Sequence, residues 1–398
     1  MTNESELPSV FLMPGGDRRL RAGHPWIYSN EIRMDAEAKA LPQGAVVALR
    51  RVDGKRLGVG TFNAHTLIAF RLFDADPRAT LDEKFLAHRL RRALTLRERL
   101  YGEPYYRLLH GEADGLPGLV ADRFADVLVL QLGTAGMEAL LPQLLAAVDT
   151  VLAPSTVVLR GDGAFRALES LERSVSVAKG RVEAPVVVRE ADMSFPADVI
   201  EGQKTGWFFD QRDNRAFVAA LAKGGRMLDV FCHSGAFAVG AAGRGATGVL
   251  GIDSSVSALE LGREAARLNG VEDRCRFLHG DVFRHLEELG GANERFQVVV
   301  ADPPAFVKAK KDIKAGLRGY RKLARLAAHL VAPGGFLFLA SCSHHVEAAL
   351  FAKEVAAGMR SAERTGRVIR SAGAGPDHPI HPFLAESAYL KSVVLHLD

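Results

Sequence analysis

From about residue 185 to the C-terminus, short apolar runs alternate with helical stretches. This alternation restricts the segment to an α/β fold, a doubly wound sheet with helices on both faces. The runs are 226–231, 248–253, 275–279, 296–301, 335–340 and 392–397, with helical stretches between them such as 256–269. Run 296–301 ends in Asp302-Pro303-Pro304, and run 335–340 ends in Ser341-Cys342-Ser343. Ligands collect beyond the carboxyl ends of parallel strands, so a carboxylate and a thiol are expected side by side over one crevice. That pairing suits chemistry on a nucleobase, with sulfur as nucleophile and an acid to hold or protonate the ring. The competing reading makes Cys342 a small buried hydrophobe.

Four acids close successive strands: Asp229, Asp253, Asp281 and Asp302, at intervals of 24, 28 and 21 residues. The first strand runs into Cys232-His233-Ser234-Gly235-Ala236-Phe237, a small-residue turn that opens a helix. A helix N-terminus offers backbone N–H groups to a ligand. One glycine stands where a dinucleotide cradle needs three, which counts against NAD and FAD. Asp253 is placed to accept from ribose hydroxyls and Asp281 from an adenine amino group. An adenosine compound without a diphosphate fits, and S-adenosylmethionine is the candidate.

At 398 residues the chain divides into two or three domains, on a prior of roughly 100–200 residues each. A net charge of +4 permits a nucleic-acid partner without demanding one. The charge is concentrated, since 308–325 carries eight Lys/Arg against one Asp. Such a run beside the crevice can hold RNA phosphates, although on a helix it is also the ordinary form of a solvated face. Cys232, Cys275 and Cys342 form no CxxC pair, an odd count excludes a closed disulfide framework, and a reducing cytoplasm is expected. The N-terminus lacks the marks of a signal peptide, and no apolar stretch is long enough for a membrane span.

Residues 8–75 read as short strands of a small β-barrel, with Asp53-Gly54 as an I′ hairpin signal. The piece from Arg18 to Tyr28 is expected as a loop in which Arg21, His24 and Trp26 face RNA; alternatively Trp26 plugs the barrel. Residues 82–180 read as a mixed α/β unit with a helix at 84–100, a Gly/Asp/Pro loop at 110–119 and a strand at 127–132, and no chemistry of their own.

Taken together, GHPWIYSNEI (23–32), HGEADGLPGL (110–119), KTGWFFDQRDNR (204–215), VFCHSGAF (230–237), VADPPAFVK (300–308), ASCSHH (340–345), DHP (377–379) and ESAYLK (386–391) resemble a known family in its order along the chain. It is that of the bacterial 23S ribosomal RNA cytosine-C5 methyltransferases with an N-terminal PUA domain, class I enzymes dependent on S-adenosylmethionine. The resemblance implies a PUA-like barrel over 1–78, a linking α/β domain over 79–184, and a seven-stranded class I methyltransferase domain over 185–398. It implies cofactor contacts from Lys204, Gln211, Arg212, Gly235, Asp253, Asp281 and Asp302, to which the strand-end register adds Asp229. It places the nucleophile on Cys342. The turn 230–235 departs from the family pattern in lacking a second glycine or an aromatic near His233.

The expected reaction begins with thiolate addition at cytosine C6, which makes C5 nucleophilic, while Asp302 holds the ring at N3. Pro303, Pro304 and Phe306 would pack against the target base, and Lys308 with the following cations would grip phosphates. The partner that the resemblance implies is ribosomal RNA, naked or in a large-subunit precursor; no membrane is expected, and a homodimer is permitted. No metal is expected, since His24 has no second ligand at metal spacing. Two other readings stay open: methylation of a ring or amino nitrogen, in which Cys342 is dispensable, and a non-catalytic RNA-binding assembly factor.

Overall fold

In the computed structural model, which describes residues 7–183 and 185–398, the Val- and Leu-rich runs of the C-terminal half pair as one sheet. Its strands are β1 (Arg226–Val230), β2 (Gly248–Asp253), β3 (Cys275–His279), β4 (Phe296–Ala301), β5 (Val331–Ser341), β6 (Gly366–Ala372) and β7 (Lys391–Leu397). They lie in the order β3-β2-β1-β4-β5-β7-β6. Pairing is parallel from β3 to β5, whereas β7 runs antiparallel to both of its neighbours. Strand order reverses between β1 and β4, the switch point where such sheets bind ligands.

The helices are α1 (Arg212–Leu221), α2 (Ala236–Gly243), α3 (Val256–Leu268), α4 (Val282–Gly291), α5 (Ile313–Leu330) and α6 (Ala348–Ser361). Strand residues Leu228, Val230, Ile252, Val299, Leu337 and Leu339 share one core with Leu323, Ala327 and Phe351 from α5 and α6. On α5 the buried positions Gly316, Tyr320, Leu323, Ala324, Ala327 and Leu330 recur at helical spacing, the mark of an apolar stripe facing a core. Lys314, Arg318, Arg321, Lys322 and Arg325 occupy its exposed face.

Two expectations for this half needed amendment. Strand β5 starts at Val331 rather than 335, because a register shift opposite Phe296–Val298 absorbs Pro333 and Gly334. Strand β6 was not anticipated; it is an edge strand exposed along most of its length, so it carries no buried apolar period.

In the N-terminal half a five-stranded sheet orders Ser9–Phe11, Ala45–Arg50, Arg56–Phe62, Ile68–Asp74 and Trp26–Tyr28. Met13 N–H donates to Glu31 C=O and Arg33 N–H to Phe11 C=O, so the segment after Trp26–Tyr28 returns to the first strand. The stretch expected as a loop from Arg18 to Tyr28 is instead a helical turn, Arg18–Arg21, followed by the strand Trp26–Tyr28. Three residues are too few for alternation to show in sequence. At the Asp53-Gly54 hairpin Gly54 is left-handed at φ +83° and Asp53 is not. The turn is therefore the longer kind with one left-handed residue, not a two-residue I′ turn.

A second sheet orders Ser174–Lys179, Thr156–Gly161, Val127–Leu132, Leu119–Phe124 and Tyr105–His110, against helices Glu83–Leu100 and Leu141–Val151. The chain falls into two compact units. The first takes the N-terminal half together with 198–207 and 376–387; the second takes the seven-stranded sheet and its helices.

Buried ion pairs stitch the distant pieces into the first unit. Arg97, fully buried, holds Asp114 through two bonds of 2.6 and 2.7 Å, and also donates to the carbonyls of Arg107 and Asp377. Arg107 holds Asp122 at 2.6 and 2.9 Å, and Thr205 donates to the same carboxylate. Asp377 accepts the Arg107 N–H and pairs with His378, whose ring lies 5.1 Å from His110. Burial, aided by the Arg107 cation, pushes His110 down to about 3, so its imidazole stays neutral.

Among the described residues no helix is long and apolar enough to cross a membrane. Replacing one partner of a fully buried pair leaves the other charged and unpaired, which costs about 3–5 kcal/mol. Arg97→Met is expected to lower the melting temperature by several degrees, whereas Arg51→Met at an exposed pair leaves it within about a degree; differential scanning calorimetry compares the two.

Candidate active site

At the carboxyl edge of β1 and β2 the backbone is bent to an unusual degree. Phe231, His233 and Gly235 adopt φ of +61°, +50° and +69°. Left-handed non-glycine residues cost free energy and persist where surroundings hold them. Here Asp253, closing β2, accepts the His233 N–H at 2.9 Å and the Ser255 N–H at 2.9 Å. Gly235 stands where a Cβ would lie 2.7 Å from the Phe277 ring, so the turn admits no side chain there. The missing second glycine is thus answered by Asp253, which pins His233 in a conformation glycine would adopt freely.

Asp229 is buried on β1, with Oδ2 accepting the Ala238 N–H of α2 at 3.1 Å and Oδ1 without a hydrogen-bond partner. Burial, reinforced by the Asp302 and Asp253 charges, raises its carboxyl well above the ordinary range. Asp302 follows β4 directly and accepts from Gln211 Nε2 at 2.8 Å; Gln211 in turn accepts from Asn214 at 2.6 Å. Two carboxylates, Asp253 and Asp302, with the raised carboxyl of Asp229 between β1 and α2, favour a ligand bearing positive charge and donors. The sulfonium, ammonium and hydroxyls of S-adenosylmethionine fit that set, with Asp229 Oδ1 as a ready acceptor.

The other expected cofactor residues are placed differently. Arg212 lies 3.5 Å from Glu190 and over the Phe209 ring, so it helps to fix the segment that carries Gln211. Asp281 is exposed and caps α4 by accepting the Arg284 N–H at 2.8 Å. Lys204, left-handed at φ +52°, belongs to the first unit, whereas Asp229, Asp253, Asp302, Gln211 and Gly235 all belong to the second.

Beyond β4 and β5 the structure shows a network absent from the sequence reading. Ladder partners Ala301 and Leu339 set the strand ends at one edge. Asp302 and Cys342 each stand one residue beyond their strands. Cys342 is half-buried between Ser341 and Ser343, both fully buried. The Tyr320 hydroxyl, from the buried stripe of α5, lies 2.8 Å from both serine hydroxyls. Ser343 Oγ also accepts the Val307 N–H at 3.1 Å, which ties the 303–307 loop to the loop carrying the thiol. Gly316 makes room for this, since a Cβ there would lie 2.3 Å from Val307 Cγ2.

Pro303 is buried and Pro304 exposed. The Phe306 ring is taken up by an aromatic cluster, 4.8 Å from Tyr320, 6.2 Å from Phe283 and 6.4 Å from Phe231. Lys308 is exposed. Tyr320 was passed over in sequence because it sits inside the cationic run; its place on the helix's apolar stripe was the available signal.

On the barrel Arg21 is exposed and paired with Asp17 at 3.2 Å. His24 Nδ1 is bonded to the Trp26 backbone, and its ring lies 5.8 Å from the indole. Trp26 does not plug the barrel; Ile27 points inward beside it. The indole N–H donates to Glu112 at 2.6 Å and Arg71 stacks over the ring, so the residue expected to meet RNA joins the barrel to the second sheet.

Because the native state holds the Asp229 proton more tightly than the unfolded chain, that stability is present below the ordinary carboxylate range and is lost as pH rises through the native value. Asp229→Asn cannot titrate. Its melting temperature relative to the wild type should climb between pH 4 and 8; a flat difference across a pH series of melts would contradict the assignment.

A family model for S-adenosylmethionine-dependent methyltransferases matches residues 107–379, and one for a PUA-like domain matches 10–75. The chain is 36% identical to "Ribosomal RNA large subunit methyltransferase I" of Aeromonas hydrophila over 97% of its length and 98% of that protein. It is also 36% identical to the protein of that name from Shewanella denitrificans, with the same coverage. A methyltransferase structure solved with S-adenosylhomocysteine superposes with a TM-score of 0.83 at 17% identity, over 98% of this chain and all of that one; at that identity the likeness speaks for fold alone. The chain therefore belongs to the S-adenosylmethionine-dependent methyltransferases with a PUA-like N-terminal domain, in the family of ribosomal RNA large subunit methyltransferase I.

Proposed function

We propose that this protein methylates C5 of a cytosine in 23S ribosomal RNA through a covalent link to Cys342. The relatives' name supplies the RNA; the reading of C5 and of sulfur rests on one observation, the half-buried Cys342 held between two pinned serines just past β5, as Asp302 stands just past the neighbouring β4. A buried, inert cysteine would need no such support, and Cys232 is the contrast. Burial, with Asp229 and Asp253 nearby, pushes the Cys232 thiol well up.

The steps follow from elementary reactivity. C5 of cytosine is too weak a nucleophile to attack a methyl sulfonium unaided. Addition of the Cys342 thiolate at C6 places electron density on C5, while Asp302 hydrogen-bonds the pyrimidine edge and supports a proton at N3. When bound, S-adenosylmethionine supplies an electrophilic methyl group. After C5 takes the methyl, a base removes the C5 proton and the C6–S bond breaks, returning the thiolate. Asp229, Asp253, Asp302, Gln211 and Gly235 would hold the donor, with Arg212 fixing the Gln211 segment; Asp281 completes the proposed set.

A base inside RNA must be splayed out first, at a cost of a few kcal/mol. Pro303 and Pro304 would wall the receiving pocket beside Phe306. Lys308, Lys310, Lys311, Lys314, Arg318 and Arg325 offer an exposed cationic face for phosphates, with Arg21, His24 and Trp26 on the barrel. We propose a corresponding division of labour among residues 1–78, 79–184 and 185–398: RNA grip, spacer and chemistry. Such work on ribosomal RNA, naked or in a precursor particle, belongs in the cytoplasm.

The decisive variant is Cys342→Ala. It should lose methyl transfer by at least about a thousandfold in a tritiated-methyl assay on ribosomal RNA, while calorimetry shows S-adenosylmethionine binding unchanged. Retained transfer would overturn the sulfur mechanism and direct attention to a ring or amino nitrogen.

A further inference from the structure

We propose that Lys391 is a positioning residue for the thiol of Cys342, holding the 341–346 loop in shape and favouring the thiolate by its charge. This rests on the reading of Cys342 as nucleophile and extends it.

Lys391 opens β7 and is the ladder partner of Ser341, the residue immediately before the thiol. Its ammonium does not reach for solvent. It donates to the Ser343 carbonyl at 2.6 Å and to the Val346 carbonyl at 2.7 Å. Those carbonyls bracket the turn 343–346, where Val346 N–H closes back on Ser343 C=O at 3.1 Å. Two of the three ammonium donors thus clamp the loop next to Cys342. An uncharged lysine would keep only two donors and bond more weakly, since ionised donors make roughly twice the hydrogen bond of neutral ones.

Electrostatics agrees with the geometry. Burial lowers the Lys391 ammonium, and a negative charge on Cys342 raises it again; by reciprocity the ammonium stabilises the thiolate. The other ionisable groups around this loop are Tyr320, exposed His344 and His345, and Asp302. Tyr320, from α5, is raised by burial and is neutral when protonated. His344 stacks 5.5 Å from Tyr389, which donates to Asp210. Asp302, at the end of β4, is an acid and disfavours a second anion. A cation beside a cysteine is the usual means of lowering a thiol below its ordinary range near 8.5. In the step concerned the S–H bond breaks, its electron pair stays on sulfur and the proton passes to solvent. Lys391 remains an ammonium throughout and is not the acceptor.

The test reads the thiol directly and leaves methyl transfer aside. Iodoacetamide alkylation of the full-length protein is followed by mass spectrometry of the Cys342 peptide from pH 5 to 10. Cys275, pushed up to about 12 by burial, and buried Cys232 serve as slow internal references. Wild-type Cys342 should titrate below the ordinary range. In Lys391→Met its alkylation rate at pH 7 should fall about tenfold and recover by pH 10, while Lys391→Arg keeps most of the rate. An unchanged profile in Lys391→Met overturns the proposal. Should that variant fail to fold, a wild-type thiol titrating at or above the ordinary range overturns it equally. Failure of the nucleophile reading is separate: Cys342→Ala would then retain methyl transfer whatever the alkylation profile.

Discussion

One phenolic hydroxyl holds the proposed reaction centre together. Tyr320 sits on the apolar stripe of α5 and meets both serines that flank Cys342. A buried hydroxyl must be satisfied or it costs about 1–3 kcal/mol; here three hydroxyls and the Val307 N–H satisfy one another. The result couples elements far apart in sequence: the loop after β4, the helix α5 and the end of β5. Asp302 and Cys342 therefore sit on loops that cannot drift independently. That is what a site needs if an acid and a nucleophile are to meet one base from fixed positions.

The proposed donor side obeys the same logic with different parts. Phe231 and His233 hold left-handed conformations that cost free energy. Asp253 offsets this by accepting the His233 N–H, and the bare Cα of Gly235 lets the turn lie against Phe277. Asp229 keeps one buried oxygen without a partner and its carboxyl raised. A fold that spends stability on strain and on a desolvated acid at one edge is prepared for a ligand there.

Much of this was legible in the residues alone. Strands β2, β3 and β4 begin and end where their apolar runs do; β2 and β4 lie inside the sheet, buried on both faces, while β3 is its edge. The acids at strand ends pointed to the sheet edge where Asp229, Asp253 and Asp302 stand. What stayed hidden depended on partners remote in sequence. No local pattern could foretell that Glu112, 86 residues on, accepts from the Trp26 indole. Strand β6 lies exposed at a sheet edge and shows no period. The return of 376–387 to the first unit, through Asp377 and Arg97, joins residues 280 apart. The contacts of Tyr320 and of Lys391, the last residue of ESAYLK, stayed hidden for a related reason: each looks like an ordinary helix or strand residue until its polar tip finds the loop that carries Cys342.

The central claim is that sulfur of residue 342 bonds to the base during turnover. A 23S ribosomal RNA fragment carrying 5-fluorocytosine cannot lose the C5 substituent as a proton, so the adduct persists. Incubated with the protein and S-adenosylmethionine, then digested and weighed by mass spectrometry, it should yield a nucleotide attached to the peptide containing Cys342. A methylated RNA product formed without any such adduct would contradict the account.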